Sequence, residues 1–295
     1  MQMRLQLIIW MLLLIFAQTN GQEKEVTREQ RLFDKAFALH EDEELDSALL
    51  LFKQFRTQYP TSDLAPRVHY NIGYILKEQG KISEAKNIFR EILSSKYNEK
   101  DPGGHGLMGS QYALYKHSSC EQLAEIYLDE KNYSEAEKYV RLFDKKYPYE
   151  HFCGNELKAY QIFESRSYAK VYKGQGKTGD AIKQLVPHVF YDGLANNDEV
   201  IEDLIILLDK AYSIDEIKDE LKKSISTLKI TNSKKNGEVA TIELYGCKIN
   251  VDENGLYGFN NPDFETNAKL EGRAKYVKVI EINGLFKHYG DVKKN

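Results

Sequence analysis

Residues 123–148 read LAEIYLDEKNYSEAEKYVRLFDKKYP. Apolar side chains recur at helical spacing on both sides of a polar break, which predicts two helices joined by a tight turn. Ala124 on the first helix and Ala136 on the second would let two antiparallel helices approach closely. Larger side chains at helical spacing, such as Tyr127 and Phe143, would then fill the space between neighbouring helix pairs.

The pattern recurs along the chain from residue 29 to about residue 190. Each copy places a small residue on the first helix and an alanine on the second: Ala36 and Ala48, Gly73 and Ala85, Ala124 and Ala136, and Ala169 and Ala181. One copy would be weak evidence. Four copies in one register predict a stack of helix pairs.

Each copy resembles the tetratricopeptide repeat. The resemblance implies a mainly α fold, an α-solenoid of stacked helix pairs that binds other proteins and performs no catalysis. The second-helix alanines are spaced 37, 51 and 45 residues apart, whereas the family repeat is about 34 residues long. We therefore expect longer helices or connections and a less regular superhelix.

A fifth helix pair is predicted after the repeats. Asn197 or Asp198 can cap a helix that continues to Tyr212, and Ser213 with Glu216 forms a capping box for a second helix. This pair would close the solenoid, because the last pair of a stack needs an atypical outer face.

The C-terminal part of the chain changes to a strand-like pattern. Apolar residues alternate with polar ones from Val239 to Val251. The dipeptide Asn-Gly, typical of hairpin turns, occurs at 254–255 and at 283–284. The second copy lies between Tyr276–Ile282 and Leu285–Tyr289, which we predict to be strands. Four or five short antiparallel strands would pack against the last helices.

The chain begins with the layout of a secretory signal peptide, residues 1–21. Arg4 supplies a basic start, and residues 5–17 form an uncharged apolar run that is too short to span a bilayer comfortably. We expect cleavage at the end of this signal, export to the periplasm or beyond, and no membrane-spanning segment afterwards. An uncleaved N-terminal anchor is the alternative. The exported chain would comprise a helical solenoid (22–230) and a β-rich module (231–295).

Charge and cysteine content narrow the classes of partner. The chain has 41 basic and 45 acidic residues, a net charge of −4, which becomes −5 once the single arginine of the signal is removed. A mildly acidic chain of mixed charge argues against a nucleic-acid partner. Cys120, Cys153 and Cys247 are too few for a disulfide framework, so we expect buried thiols and no bond between Cys120 and Cys153.

The connections between successive helix pairs should emerge at one edge of the stack. His105 lies on one connection, and Tyr149, His151, Cys153 and Asn155 lie on or beside the next. This loop edge is a candidate surface for contact with a protein partner. A metal site or a catalytic Cys/His pair is the alternative, although the spacing of these residues differs from that of zinc modules.

A simpler alternative is that these connections only complete the packing. Tyr147, Tyr149, Phe152 and Cys153 would then cover the ends of helices. Residues 104–109 match the pattern G-x-G-x-x-G by letter, but they follow a helix rather than a strand, so we interpret them as a loop and not as a phosphate site.

Tyrosines on the first helices provide a second candidate surface. In this architecture the first helices line the concave face, where tyrosine offers broad apolar area with a polar tip. Tyr112, Tyr115 and Tyr160 precede the repeat signature and are therefore the tyrosines most available to a partner.

The sequence thus predicts a scaffold without cofactor or metal that binds a protein or peptide in the bacterial envelope. It is similar to periplasmic tetratricopeptide proteins that coordinate outer-membrane or cell-wall assembly, although fold alone does not establish a process. An enzyme or metal-binding protein that uses the His/Cys loop edge is one rival. A solute-binding helper for nutrient uptake is another, but such helpers usually carry a lipid-anchor cysteine that this sequence lacks.

Overall fold

The computed structural model describes residues 27–98, 113–190, 196–233, 237–252 and 269–290. The chain forms two compact units, residues 1–85 and 86–295, which we describe separately. The predicted signal peptide, the 104–109 segment with His105, Tyr112 and the dipeptide 254–255 lie outside the described residues.

The first unit consists of α1 (Arg28–Glu41), α2 (Leu45–Gln58), α3 (Ala65–Glu78) and the beginning of α4 (Ile82–Ser94). The side chain of Thr27 caps α1 by accepting a hydrogen bond from the backbone N–H of Gln30. Phe33 packs edge-on against the rings of Phe52 and Phe55, and all three are buried. The amphipathic faces of α1 and α2 therefore close onto each other.

The second unit contains α5 (Tyr115–Asp129), α6 (Tyr133–Arg141), α7 (Gly154–Gly174), α8 (Thr178–Leu185), α9 (Asp198–Ala211) and α10 (Ile214–Ser226). A π-helical turn, Leu142–Lys146, extends α6, and a 3₁₀ turn, Val186–His188, extends α8. Helix α5 packs against α6, α6 against α7, α7 against α8, and α8 against α9. This succession of neighbours is that of a helical solenoid.

The predicted capping box is confirmed. The Ser213 hydroxyl accepts from the backbone N–H of Glu216, and the Glu216 carboxylate accepts from the backbone N–H of Ser213. Asn197 stands at the N-cap of α9, but its side chain donates instead to the carbonyls of His188 and Val189. Asn197 thus ties the start of α9 to the end of α8.

One turn joins the two helices in each of the four predicted copies. A residue in each turn takes the left-handed conformation: Glu43 (φ 60°), Gly80 (φ 71°), Lys131 (φ 56°) and Gly176 (φ 77°). The next backbone N–H then donates, over 2.8 Å, to a carbonyl five residues earlier: Glu44 to Leu39, Lys81 to Leu76, Asn132 to Tyr127, and Lys177 to Tyr172. This bond satisfies a carbonyl that the end of the first helix leaves unpaired.

The small residues that define the copies are all buried: Ala36, Ala48, Gly73, Ala85, Ala124, Ala136, Ala169 and Ala181. A similarly close approach occurs at Gly174 in α7. A Cβ atom added there would lie 2.1 Å from the ring of Tyr133 in α6. Any larger side chain at Gly174 would therefore displace that ring.

A three-stranded antiparallel sheet follows the helices, made of β1 (Lys229–Ser233), β2 (Gly237–Leu244) and β3 (Cys247–Asn250) in that order. Ile242 of β2 is paired with Ile249 of β3, and both are buried. The alternating pattern therefore predicted these strands correctly. β1 begins two residues earlier than the start expected for the module.

The two strands predicted at the C-terminus are wrong, because both segments are helical: α11 (Gly272–Ile282) and α12 (Gly284–His288). Tyr276, Val279 and Ile280 are buried at helical spacing, which an alternating reading of the same residues overlooks. The Asn-Gly dipeptide is a helix start rather than a hairpin turn: the Asn283 side chain accepts from the backbone N–H of Leu285.

The sheet and the C-terminal helices share one hydrophobic core with the last helices of the solenoid. Buried residues of this core include Leu204 and Leu208 of α9, Ile242 of β2 and Ile280 of α11. The Asn283 amide also donates to the Val189 carbonyl over 2.7 Å. The predicted packing of the β strands against the last helices is confirmed.

The left-handed conformation of the turn residues predicts how substitutions there change the free energy of unfolding. Gly176→Ala should lower the free energy of unfolding by about 1 kcal/mol, because a Cβ atom disfavours positive φ. Lys131→Gly should raise it by a few tenths of a kcal/mol to about 1 kcal/mol for the same reason. Urea unfolding of the two variants measures both effects.

Gly179→Ala is the matched control, since Gly179 lies in α8 with open space around its Cα and without a positive φ. Alanine there should stabilise the helix by about 0.5–1 kcal/mol. A Gly176→Ala variant as stable as the wild type would contradict the turn assignment.

Candidate partner-binding site

Two of the predicted tyrosines stack on each other where the loop after the π-helical turn meets α7. The rings of Tyr149 and Tyr160 lie 4.2 Å apart, centroid to centroid, and nearly parallel at 14°. The buried ring of His117 in α5 lies 4.9 Å from Tyr160 and 5.6 Å from Tyr149. Loop, α5 and α7 therefore converge on one aromatic centre.

The stack extends to the surface in both directions. His151 stacks on Tyr149 at 6.0 Å and 7°, and Phe152 stacks on His151 at 4.7 Å and 21°. On the other side, Phe163 lies 5.4 Å from Tyr160. We call these five residues, Phe152, His151, Tyr149, Tyr160 and Phe163, the aromatic ladder.

Both ends of the aromatic ladder are open to solvent. Phe152 is 59% exposed and Phe163 is 43% exposed, which is unusual for phenylalanine. Their exposed faces adjoin rings that are themselves half-buried or buried, so they do not hang freely from the surface. Apolar rings held at a surface in this way mark an interaction site.

Hydrogen bonds fix the central rings. The Tyr160 hydroxyl donates to Glu121 over 3.0 Å, and the Tyr149 hydroxyl donates to Glu156 over 3.2 Å. Burial, with the negative charges of Glu156 and Glu121, raises the pKa of Tyr149 to about 12. Burial and Glu121 raise the pKa of Tyr160 as well. Both tyrosines consequently keep their protons and their donor role at neutral pH.

His117 connects the loop to the helix behind it. Its Nδ1 donates to the backbone carbonyl of Tyr147, and its Nε2 lies 3.2 Å from the Glu121 carboxylate. Since Glu121 also accepts from Tyr160, one carboxylate orders a residue from α5 and one from α7. This arrangement explains why the loop takes a fixed path without regular secondary structure.

Asp144 of the π-helical turn and Glu164, which follows Phe163 in α7, form a pair of carboxyl groups. Burial, and then a hydrogen bond to Asp144 with its negative charge, raises the pKa of Glu164 to about 7. Burial alone would raise the pKa of Asp144, but hydrogen bonds from Glu164, Lys145 and Tyr168 outweigh it and lower that pKa. The Tyr168 hydroxyl donates to Asp144 over 2.8 Å. The pair therefore holds a proton on Glu164 more readily than on Asp144.

The structure brings Tyr149, His151 and Tyr160 together, three of the residues proposed from the sequence. Asn155 is exposed in the first turn of α7, and Tyr115 is half-buried at the start of α5. Phe152, which the packing alternative would bury, is exposed instead. Sequence analysis missed Phe163, although its position three residues after Tyr160 places it on the same face of a helix.

His151 and Cys153 are the described residues of the His/Cys alternative, since His105 lies outside the described residues. The Nδ1 atom of His151 accepts from the backbone N–H of Cys153 over 3.1 Å. No group of three or more His, Cys, Asp or Glu side chains in the described ranges is placed to hold a metal ion. All three cysteines lie within those ranges, and no disulfide links them; Cys120 is buried as expected, whereas Cys153 and Cys247 are half-buried. As a separate finding, none of the described helices has the length and apolarity needed to cross a bilayer.

Comparison with known proteins agrees with the helix pairs. A family model for the tetratricopeptide repeat matches residues 66–99 and 117–143. These two stretches are therefore similar to tetratricopeptide repeats. Such repeats generally form non-catalytic scaffolds for protein–protein interaction. No curated protein matches the chain.

Several solved structures are similar to this chain. A MamA RS-1 ArsTM double mutant is 13% identical over 66% of this chain and 82% of its own, with a TM-score of 0.38. A putative kinesin light chain of Podosopora anserina with nearly identical TPR-like repeats is 13% identical over 62% and 87%, with a TM-score of 0.43. A tetratricopeptide repeat protein of Parabacteroides merdae is 17% identical over 65% and 96%, with a TM-score of 0.24.

The carboxyl pair predicts a pH dependence of stability. Because its folded-state pKa is raised above the ordinary value, Glu164 binds more protons in the folded than in the unfolded state between about pH 4.5 and pH 7. Its contribution to stability is therefore complete below that window and is lost as the pH rises through it. Glu164→Gln, which cannot ionise, should match the wild type near the lower limit and exceed its stability above the upper one.

The expected difference at high pH is about 1 kcal/mol, allowing for solvent screening of a half-exposed group. Urea unfolding at both ends of the window measures it, with Glu202→Gln, an exposed glutamate of α9, as the control. A constant difference between Glu164→Gln and wild type across the window would disprove the shared proton.

Proposed function

We propose that the protein is a non-catalytic scaffold that binds a segment of a partner protein at the aromatic ladder and works in the bacterial envelope. The observation that carries the proposal is the exposure of Phe152 and Phe163 at the two ends of a fixed ring stack. Aromatic side chains provide much of the binding energy at protein interfaces. The repeat architecture supports a general role in protein binding, and the aromatic ladder is the proposed binding site.

Pre-organisation favours the ladder over other exposed apolar residues. Ile206 and Ile214 are 52% and 60% exposed, yet aliphatic side chains standing singly at a surface are common. The ladder residues are already ordered by stacking and by the bonds to Glu121 and Glu156. A partner that binds there loses less conformational entropy than one that must order the surface first.

The envelope location is supported by the sequence of residues 1–21, whose basic start and short apolar run are typical of a cleaved signal. Protein recovered from the envelope fraction should have an intact mass that corresponds to loss of about 21 residues. It should also lack tryptophan fluorescence, since Trp10 is the single tryptophan. A recovered species that retains Met1 would contradict export by a cleaved signal.

Site-specific photo-crosslinking tests the ladder. A photoreactive phenylalanine analogue placed at 152 or 163 should yield a discrete adduct in intact cells. The same analogue at Ile206, which has comparable exposure, should not yield that adduct. The adduct formed from position 163 should fall about tenfold when Phe152 is also changed to Ala. Equal adducts from all three positions would show that the ladder is not the binding site.

A further inference from the structure

Acidic groups surround the aromatic ladder. Glu121 accepts from Tyr160 through Oε1, the oxygen that also lies 3.2 Å from Nε2 of His117, and Glu156 accepts from Tyr149 through its own Oε1. The Oε2 atoms of both glutamates have no hydrogen bond to any described residue. A carboxylate has about four acceptor positions, so each glutamate retains capacity for a donor from another molecule.

Cations of the protein itself cover many of its other aromatic rings. Arg67 lies 4.9 Å from the centroid of Phe33, Lys86 lies 5.0 Å from that of Tyr127, and Lys116 and Lys146 both lie over Tyr147. Arg141, Lys177 and Lys275 do the same for Tyr168, Tyr172 and Tyr276. Cation–π contact is thus a recurrent way in which this chain uses its aromatic surface.

The rings of the aromatic ladder differ from these rings in their cation–π contacts. Across the described ranges, no lysine or arginine stacks on Phe152, Tyr149, Tyr160 or Phe163. The Nζ atom of Lys145 forms an ion pair with Asp144 over 2.8 Å, and the Lys145 side chain is otherwise exposed. The ladder therefore offers electron-rich ring faces beside carboxylates, without a cation of its own on those four rings.

We propose that the aromatic ladder binds an arginine-bearing segment of a partner protein. A guanidinium group stacks on a ladder ring and donates to the carboxylate of Glu156 or Glu121. Arginine suits the site better than lysine, because its planar group can stack and at the same time present a fork of N–H donors to a carboxylate. This inference rests on the proposed function, and it adds the chemistry of the segment that is bound.

Labelled peptides of equal length and spacing test the inference, with arginine, lysine or citrulline at the same positions among glycine and serine. Citrulline keeps the shape of arginine without its charge. The arginine peptide should bind the full exported chain at least about threefold more tightly than the lysine peptide, and the citrulline peptide should not bind. Affinity should fall as salt is added, because the carboxylate contacts are screened.

Variants locate the binding. Phe152→Ala and Phe163→Ala should each weaken the arginine peptide about tenfold. Glu156→Gln, whose amide oxygen can still accept from Tyr149, should weaken it about threefold. Ile206→Ala and Glu202→Gln, which change exposed residues of α9, are the matched controls and should leave binding unchanged. Unchanged circular dichroism and melting temperature show that each variant is folded.

The outcomes separate the two proposals. Equal binding of the arginine and citrulline peptides, or equal losses in Glu156→Gln and Glu202→Gln, would overturn the arginine inference. If no peptide binds while positions 152 and 163 still crosslink a partner, the inference fails and the proposed function stands. If crosslinking is also absent from those positions, the proposed function fails with it.

Discussion

The helix pairs depend on one backbone constraint, a left-handed residue followed by a hydrogen bond that closes the turn. Without it, the first helix would end with unpaired carbonyls and the second could not fold back at the required angle. The four turns make this bond at the same length whether the left-handed residue is glycine, glutamate or lysine. The packing of small residues between paired helices follows from the turn, because the turn decides which faces meet.

The irregular repeat length is the origin of the candidate site. The turns are separated by the same uneven intervals as the second-helix alanines, so the extra residues do not lie within the turns. They lie partly in α7, a helix of 21 residues that begins well before the repeat signature at Tyr168. Tyr160 and Phe163 belong to this additional length. A chain of regular repeats would have no equivalent position for the ladder.

The sequence was sufficient for the helix pairs, the capping box at Ser213 and the central strands, because each has a local pattern with a local cause. It failed at Tyr276–Ile282, where alternating and helical readings of the same apolar residues compete and the shared core decides between them. It also found Tyr149, His151 and Tyr160 but not the stack they form. Stacking depends on the path of the loop, which the buried His117 fixes from a distant helix.

The interaction of Asp144 with Glu164 limits the negative charge at the residue that follows Phe163. If Asp144 and Glu164 were both ionised, their mutual repulsion in a partly buried place would oppose the contact between the π-helical turn and α7. Below about pH 7, where Glu164 keeps its proton, the pair carries a single charge, which Lys145 and the Tyr168 hydroxyl compensate. The carboxylates of Glu121 and Glu156 accept hydrogen bonds from the tyrosine hydroxyls of the ring stack. The same buried contacts that hold the rings in place therefore also concentrate the negative charge where a cation on those rings could reach it.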